Sequence, residues 1–166
     1  MLEIRVATEQ QRPILERLLQ LYLHDLSEFT REEAGDHVTF EYDILIRYWR
    51  EDGRYPRLFY EGENPCGFAL VRTLPSDNPR VRTYQMAEFF VMRAYRGTGI
   101  GQRAARMLFD AFPGEWQVAQ EEENTGATVF WRRVIDRYTH GQFQEARSGP
   151  PDGPIGPMQV FRSPLD

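Results

Sequence analysis

Residues 82–112 constrain the fold more than any other stretch, because an apolar strand, a glycine-rich turn and an amphipathic helix follow one another there. The strand, residues 83–92 (TYQMAEFFVM), is dense in aromatic and branched side chains, and Glu88 is its only charge. Such a run belongs at the centre of a sheet, covered on both faces. The turn is Arg96-Gly97-Thr98-Gly99-Ile100-Gly101. Its alternating glycines let the chain turn sharply and leave no Cβ in front of the backbone N–H groups. Ile100, Ala104, Met107, Leu108, Ala111 and Phe112 then recur at helical spacing and predict one apolar face, and Pro113-Gly114 stops the helix. A helix start carries unpaired N–H groups and about half a positive charge. The turn is therefore either a tight connection or a seat for a phosphate or pyrophosphate. Two familiar nucleotide loops do not fit: no Lys-Ser/Thr follows the glycines, and their spacing is not G-x-G-x-x-G.

A chain of 166 residues suits a single domain, 1–166, large enough to bury a core without cross-links. Cys66 is its only cysteine, which excludes an intrachain disulfide and fits a reducing compartment. No charged-then-apolar leader opens the sequence and no apolar run approaches the length of a membrane span, so a soluble cytoplasmic protein with no membrane partner is expected. The net charge of −5 argues against nucleic acid as a partner and is compatible with a cationic or amine substrate.

Residues 2–7 alternate apolar and charged side chains and predict a first strand. Thr8 with Gln11 forms a capping pattern, Pro13 falls in a first helical turn, and Leu15, Leu18, Leu19, Tyr22 and Leu26 share a face, giving a helix over about 10–24. Two short helices joined by loops would account for 24–53. Residues 57–61 and 66–72 flank a turn at 62–65 and form a hairpin, and 75–79 is an exposed turn. Residues 115–121 predict a fifth strand with Trp116, Val118 and Gln120 on one side. Asn124 caps a helix bearing Ala127, Phe130, Trp131 and Val134. Closing strands are expected at 138–146 and 159–162, separated by a Gly/Pro loop at 148–157.

The segment 96–101 matches every fixed position of Q/R-x-x-G-x-G/A and so resembles the acyl-CoA signature of the GNAT acetyltransferase superfamily. Glu88 to Tyr95 looks like that family's fourth strand and its linker, and Asn124, Ala127, Phe130 and Trp131 are similar to its N-x-x-A-x-x-F/L-Y segment. The resemblance implies the GNAT fold, an α/β (α+β) domain whose mixed, mostly antiparallel sheet has about six to seven strands with helices on both faces. It implies acetyl-CoA as cosubstrate, no metal, and transfer of the acetyl group to an amine of a small molecule or peptide by direct attack in a ternary complex. A catalytically silent acyl-CoA-binding module is the alternative. Many family members pair, so a homodimer stays open.

By the same resemblance the pyrophosphate sits on the N–H groups of Gly97, Thr98, Gly99, Ile100, Gly101 and Gln102, the pantetheine arm runs along Phe89 and Val91, and Arg96, Asn124, Phe130 and Trp131 complete the cofactor site. The segment after the first helix lines the acceptor pocket. Tyr22, Asp25, Glu28, Asp36 and Tyr42 are candidate contacts for a protonated amine, since carboxylates pair with it and aromatic faces attract it. An alkylammonium needs a base before it can attack. Glu88 is the candidate, because an isolated carboxylate in an apolar strand is expected to hold its proton more tightly than usual. Its alternative is a structural carboxylate paired with an arginine. Some relatives carry their base three residues earlier, where this chain has Gln85, and many use a tyrosine to protonate the thiolate where it has Trp131; Tyr95 and Tyr138 are the alternatives for that proton.

Overall fold

The computed structural model describes residues 1–76, 78, 80–151 and 153–163. Its strands are β1 (Leu2–Val6), β2 (Arg54–Glu61), β3 (Asn64–Leu74), β4 (Thr83–Val91), β5 (Glu115–Ala119), β6 (Phe143–Ser148) and β7 (Gly156–Arg162). The helices are α1 (Arg12–Thr30), α2 (Arg47–Arg50), α3 (Ile100–Ala111) and α4 (Thr125–Thr139). The strands form one mixed sheet in the order β1-β2-β3-β4-β5-β7-β6. Pairing is antiparallel for β1–β2, β5–β7 and β6–β7 and parallel for β4–β5. The parallel register runs from Thr83↔Glu115 to Gln85↔Gln117. By contacts the chain divides into two compact units, Met1–Val71 with Glu88–Gly101, and Arg72–Ala87 with the chain from Gln102 onward.

In the first unit, Thr8 and Gln11 close the expected capping box ahead of a short 3-10 turn, and Pro13 lies in the first turn of α1. Leu15, Leu18, Leu19 and Leu23 turn inward from this helix. It runs to Thr30, past its expected end, and stops where Arg31 takes a left-handed conformation at φ 60°. Of the two short helices expected after it only α2 forms. The intervening loop is held from outside: the Gln20 amide donates to the Phe40 carbonyl at 2.9 Å and accepts from the Phe40 N–H at 2.8 Å. Leu15, Leu19, Leu58, Phe59, Phe68 and Leu70 form the centre of the unit, each nearly or wholly sealed from water. β2 and β3 make the expected hairpin, although Pro65 lies inside β3.

In the second unit the buried stripe of α3 is rotated from the one expected. Ala105 and Phe109 are buried, whereas Met107 is 39% exposed and Ala111 is on the surface. The reason is an aromatic cluster: the Phe109 ring lies 5.0 Å from Trp116, 4.8 Å from Phe161 and 5.1 Å from Tyr138. In α4, Thr128, Trp131, Val134 and Ile135 are buried, with Ala127 and Phe130 only partly covered. The helix continues to Thr139, so the strand expected from 138 begins at Phe143; His140 at φ 52° and Gly141 at φ 81° make the break. Gly156 and Pro157 join β7 despite the expected loop, because proline is tolerated at a strand's first residues, where only its carbonyl is asked to pair. That carbonyl accepts from the Gln120 N–H at 3.0 Å. Buried Gln120 and Gln159 satisfy each other through bonds of 2.7 and 3.0 Å. Of the turn expected at 75–79, Asp77 and Pro79 lie outside the described residues.

Candidate active site

β4 delivers Glu88 and Phe90 into the first unit two residues apart, hence on one side of the strand. The Tyr42 hydroxyl donates to Glu88 Oε1 at 2.9 Å. Tyr42 is placed by the Gln20–Phe40 tie just before it and by its own carbonyl, which accepts from the Leu45 N–H at 3.2 Å. Burial, then the charge of Glu88, push the Tyr42 hydroxyl far above the ordinary tyrosine range, so it keeps its proton and acts as a donor. Tyr22 of α1 packs beside this pair, its ring 5.8 Å from Phe68 and 5.9 Å from Phe90. A carboxylate, a hydroxyl that donates to it and an aromatic wall suit a cation that must give up a proton.

The other expected acidic contacts stand elsewhere. Asp36 and Glu28 are exposed. Both Asp25 oxygens are occupied by arginine: Oδ1 accepts from Arg93 Nη2 and Oδ2 from Arg96 Nη2, each at 2.7 Å. Burial acts to raise the Asp25 carboxyl, but the hydrogen bonds from Arg93 and Arg96 and their charges outweigh it and hold it below the ordinary range. Asp25 is thus committed to Arg93 and Arg96, and Arg93 is the partner that sequence reasoning missed. It lies 68 positions away, and no local pattern announces it.

Arg96, the first fixed residue of the signature, turns back onto its own strand. Its Nε donates to the Val91 carbonyl at 2.8 Å and its guanidinium lies 5.4 Å from the centre of the Phe90 ring. Phe89 points the other way, against Phe59 at 5.4 Å. A 3-10 turn at Arg93–Tyr95 follows, and Thr98 Oγ1 donates to the Tyr95 carbonyl at 2.6 Å. Gly97 and Gly99 then adopt φ +77° and +83°, and a Cβ built on either meets nothing within 4 Å. Ile100 opens α3 at once. Backbone amides beside open space at a helix start are a chemically apt seat for a diphosphate, so the residues fit a coenzyme A pyrophosphate.

The remaining expected cofactor residues belong to the second unit. Gln102 accepts from Arg137 at 3.3 Å. The Asn124 side chain caps α4 by accepting from the Ala127 N–H at 3.1 Å. Trp131 is buried, with its ring 5.1 Å from Phe130 and 6.4 Å from Phe109. The Tyr138 hydroxyl donates to Asp110 at 2.8 Å. Among the described residues no group of His, Cys, Asp or Glu is arranged to hold a metal ion, and no helix is long and apolar enough to cross a membrane.

Sheet order, the parallel step at β4–β5 and the glycine turn between β4 and α3 define an acetyltransferase-type fold, and solved structures share it. An acetyltransferase from Thermus thermophilus superposes with a TM-score of 0.66 at 19% identity, covering 98% of this chain and 97% of its own. The ribosomal-protein-S18-alanine N-acetyltransferase of Escherichia coli gives 0.64 at 12% identity over 100% and 96%. A GNAT-family acetyltransferase from Staphylococcus aureus gives 0.64 at 14% over 99% and 100%. The sequence profile of the acetyltransferase (GNAT) family matches residues 15–135. The chain therefore belongs to the GNAT acetyltransferase family. No curated protein matches it.

Proposed function

We propose that this protein is an N-acetyltransferase, one domain over 1–166, that moves an acetyl group from acetyl-CoA to an amine of a small molecule or peptide by direct attack in a ternary complex. The observation that carries the reading is the glycine pair at the start of α3, where Gly97 and Gly99 hold positive φ with open space beside them. When bound, acetyl-CoA supplies an activated acetyl thioester whose acyl carbon joins the amine nitrogen as the thiolate leaves. The amides of Gly97, Thr98, Gly99, Ile100, Gly101 and Gln102 hold the pyrophosphate, with the α3 dipole in place of a lysine. The backbone of Phe89 and Val91 is assigned to the pantetheine arm, and Asn124, Phe130 and Trp131 are assigned to the same ligand by family likeness.

Glu88 accepts the proton that the ammonium must lose, and the 2.9 Å bond from Tyr42 fixes the carboxylate so that it is aimed when the amine arrives. Tyr22 offers the ring face on which a cation rests. Trp131 has an N–H that donates but does not ionise, and the Tyr138 hydroxyl is bonded to Asp110, which leaves Tyr95 or solvent to supply the thiolate's proton. Binding is tested by melting: acetyl-CoA at a hundred times its Kd should raise the transition by roughly 5–10 °C, the equivalent of about 2.7 kcal/mol. Turnover is tested by thiol release across polyamines, aminoglycosides, amino acids and peptides. A shift with ATP and none with acetyl-CoA would overturn the reading.

A further inference from the structure

We infer that Asp25 is a positioning residue for the glycine loop: from α1 its carboxylate pins Arg93 and Arg96, the start and end of the turn that presents the Gly97–Gly101 amides to a diphosphate. The inference rests on the cofactor reading above and departs from the expectation that Asp25 meets the amine.

Three observations lead to it. The support is rigid, because α1 is anchored along Leu15, Leu18, Leu19 and Leu23 and the Asp25 side chain is 21% exposed. The grip reaches both ends of the turn: one oxygen takes Arg93 Nη2 and the other Arg96 Nη2, each at 2.7 Å, while the turn closes on itself through Tyr95 N–H to Met92 O at 2.9 Å and Arg96 N–H to Arg93 O at 3.1 Å. The loop beyond is tied back to the same turn, Thr98 Oγ1 donating to the Tyr95 carbonyl at 2.6 Å, while the Cβ directions of Gly97 and Gly99 face nothing within 4 Å. Where the amides point is therefore set by where Arg96 is tied, and Arg96 is tied to Val91 O and Asp25. The signature's first position thus works as a staple of the turn, with a carboxylate as its outer anchor.

The test is Asp25→Asn, which keeps the shape and removes the charge, beside Asp25→Glu, which restores it. Amide hydrogen exchange without ligand should quicken about tenfold across residues 97–102, with α1 and β2 unchanged. By calorimetry the Kd for coenzyme A should rise about tenfold, the equivalent of about 1.4 kcal/mol. The acceptor KM at saturating acetyl-CoA should not move, and Asp25→Glu should recover most of the loss. Arg93→Gln, on a side chain 72% exposed, should quicken the same loop a few-fold and carries the test if Asp25→Asn does not fold. Unchanged loop exchange and unchanged coenzyme A affinity overturn the inference. So does tighter binding, as two freed arginines gripping phosphate would give, or a rise confined to the acceptor KM. Wild-type protein that fails to bind coenzyme A would instead defeat the cofactor reading itself.

Discussion

Two glycine-to-alanine substitutions that add the same methyl group to equally empty surroundings should have opposite effects. At Gly99 and at Gly126 alike, an added Cβ meets no heavy atom within 4 Å, so neither change costs overpacking. The difference is conformational. Gly99 holds φ +83°, where an L side chain costs about 1–2 kcal/mol. Gly126 lies in the first turn of α4, at a conformation alanine adopts freely, and the stiffer unfolded chain should stabilise the fold by about 0.5 kcal/mol. In a chain of this length 1 kcal/mol moves the transition by roughly 2–4 °C. Gly99→Ala should therefore melt about 2–8 °C lower and Gly126→Ala about 1–2 °C higher, by calorimetry or fluorescence with denaturant titration as a check. Coenzyme A binding adds a second reading of the same variants. A methyl group in front of the loop amides should remove charge-assisted hydrogen bonds of about 1.5–3 kcal/mol, which weakens binding about ten- to a hundredfold, whereas Gly126→Ala should bind normally. Shifts of the same sign in both variants would refute the backbone argument. A lower melting point in Gly99→Ala with affinity intact would refute the loop's assignment to the diphosphate.

Three further outcomes follow from the geometry. Glu88→Gln should lower kcat by about a hundredfold or more at neutral pH with coenzyme A affinity retained, and Tyr42→Phe, which removes only the 2.9 Å bond to Glu88, should lower it by a smaller factor; full turnover in Glu88→Gln dismisses the base. Stability should fall in acid: the folded state holds Asp25 below its ordinary 3.8, after burial is outweighed by Arg93 and Arg96, and Glu145 below 4.5, chiefly through the bond from Arg132. The folded protein then binds fewer protons than the unfolded chain, so this contribution is complete above those ordinary values and is lost as pH drops through the lower folded ones; Asp25→Asn with Glu145→Gln should flatten that slope in urea melts between pH 6 and about pH 2. Asn124→Ala should cost about 1 kcal/mol, because the cap on the Ala127 N–H is lost, and a stability unchanged within error would mean that water replaces it.

How far the sequence could be read depends on how far apart the interacting residues lie. Gly97 and Gly99 specify positive φ through their own lack of a side chain, Asn124 caps an N–H three residues on, and Thr8 pairs with Gln11 within one turn; each is legible because cause and effect are near neighbours. The rotated face of α3 was not legible. Phe109 and Met107 both fit an apolar stripe, and only the rings of Trp116, Tyr138 and Phe161, supplied by other elements, decide that Phe109 goes inside. The loop after α1 follows the same rule, since its tie runs from Gln20 to Phe40 across 20 positions. Asp25 is the clearest case: in sequence it is one acidic residue among several after a helix, and its two arginines stand 68 and 71 positions away. Backbone chemistry therefore made the proposed cofactor loop readable from six residues. The proposed acceptor side, built from side chains that meet only on folding, required the structure, and the pair it yields is Tyr42 with Glu88, joined across 46 positions by a single hydrogen bond.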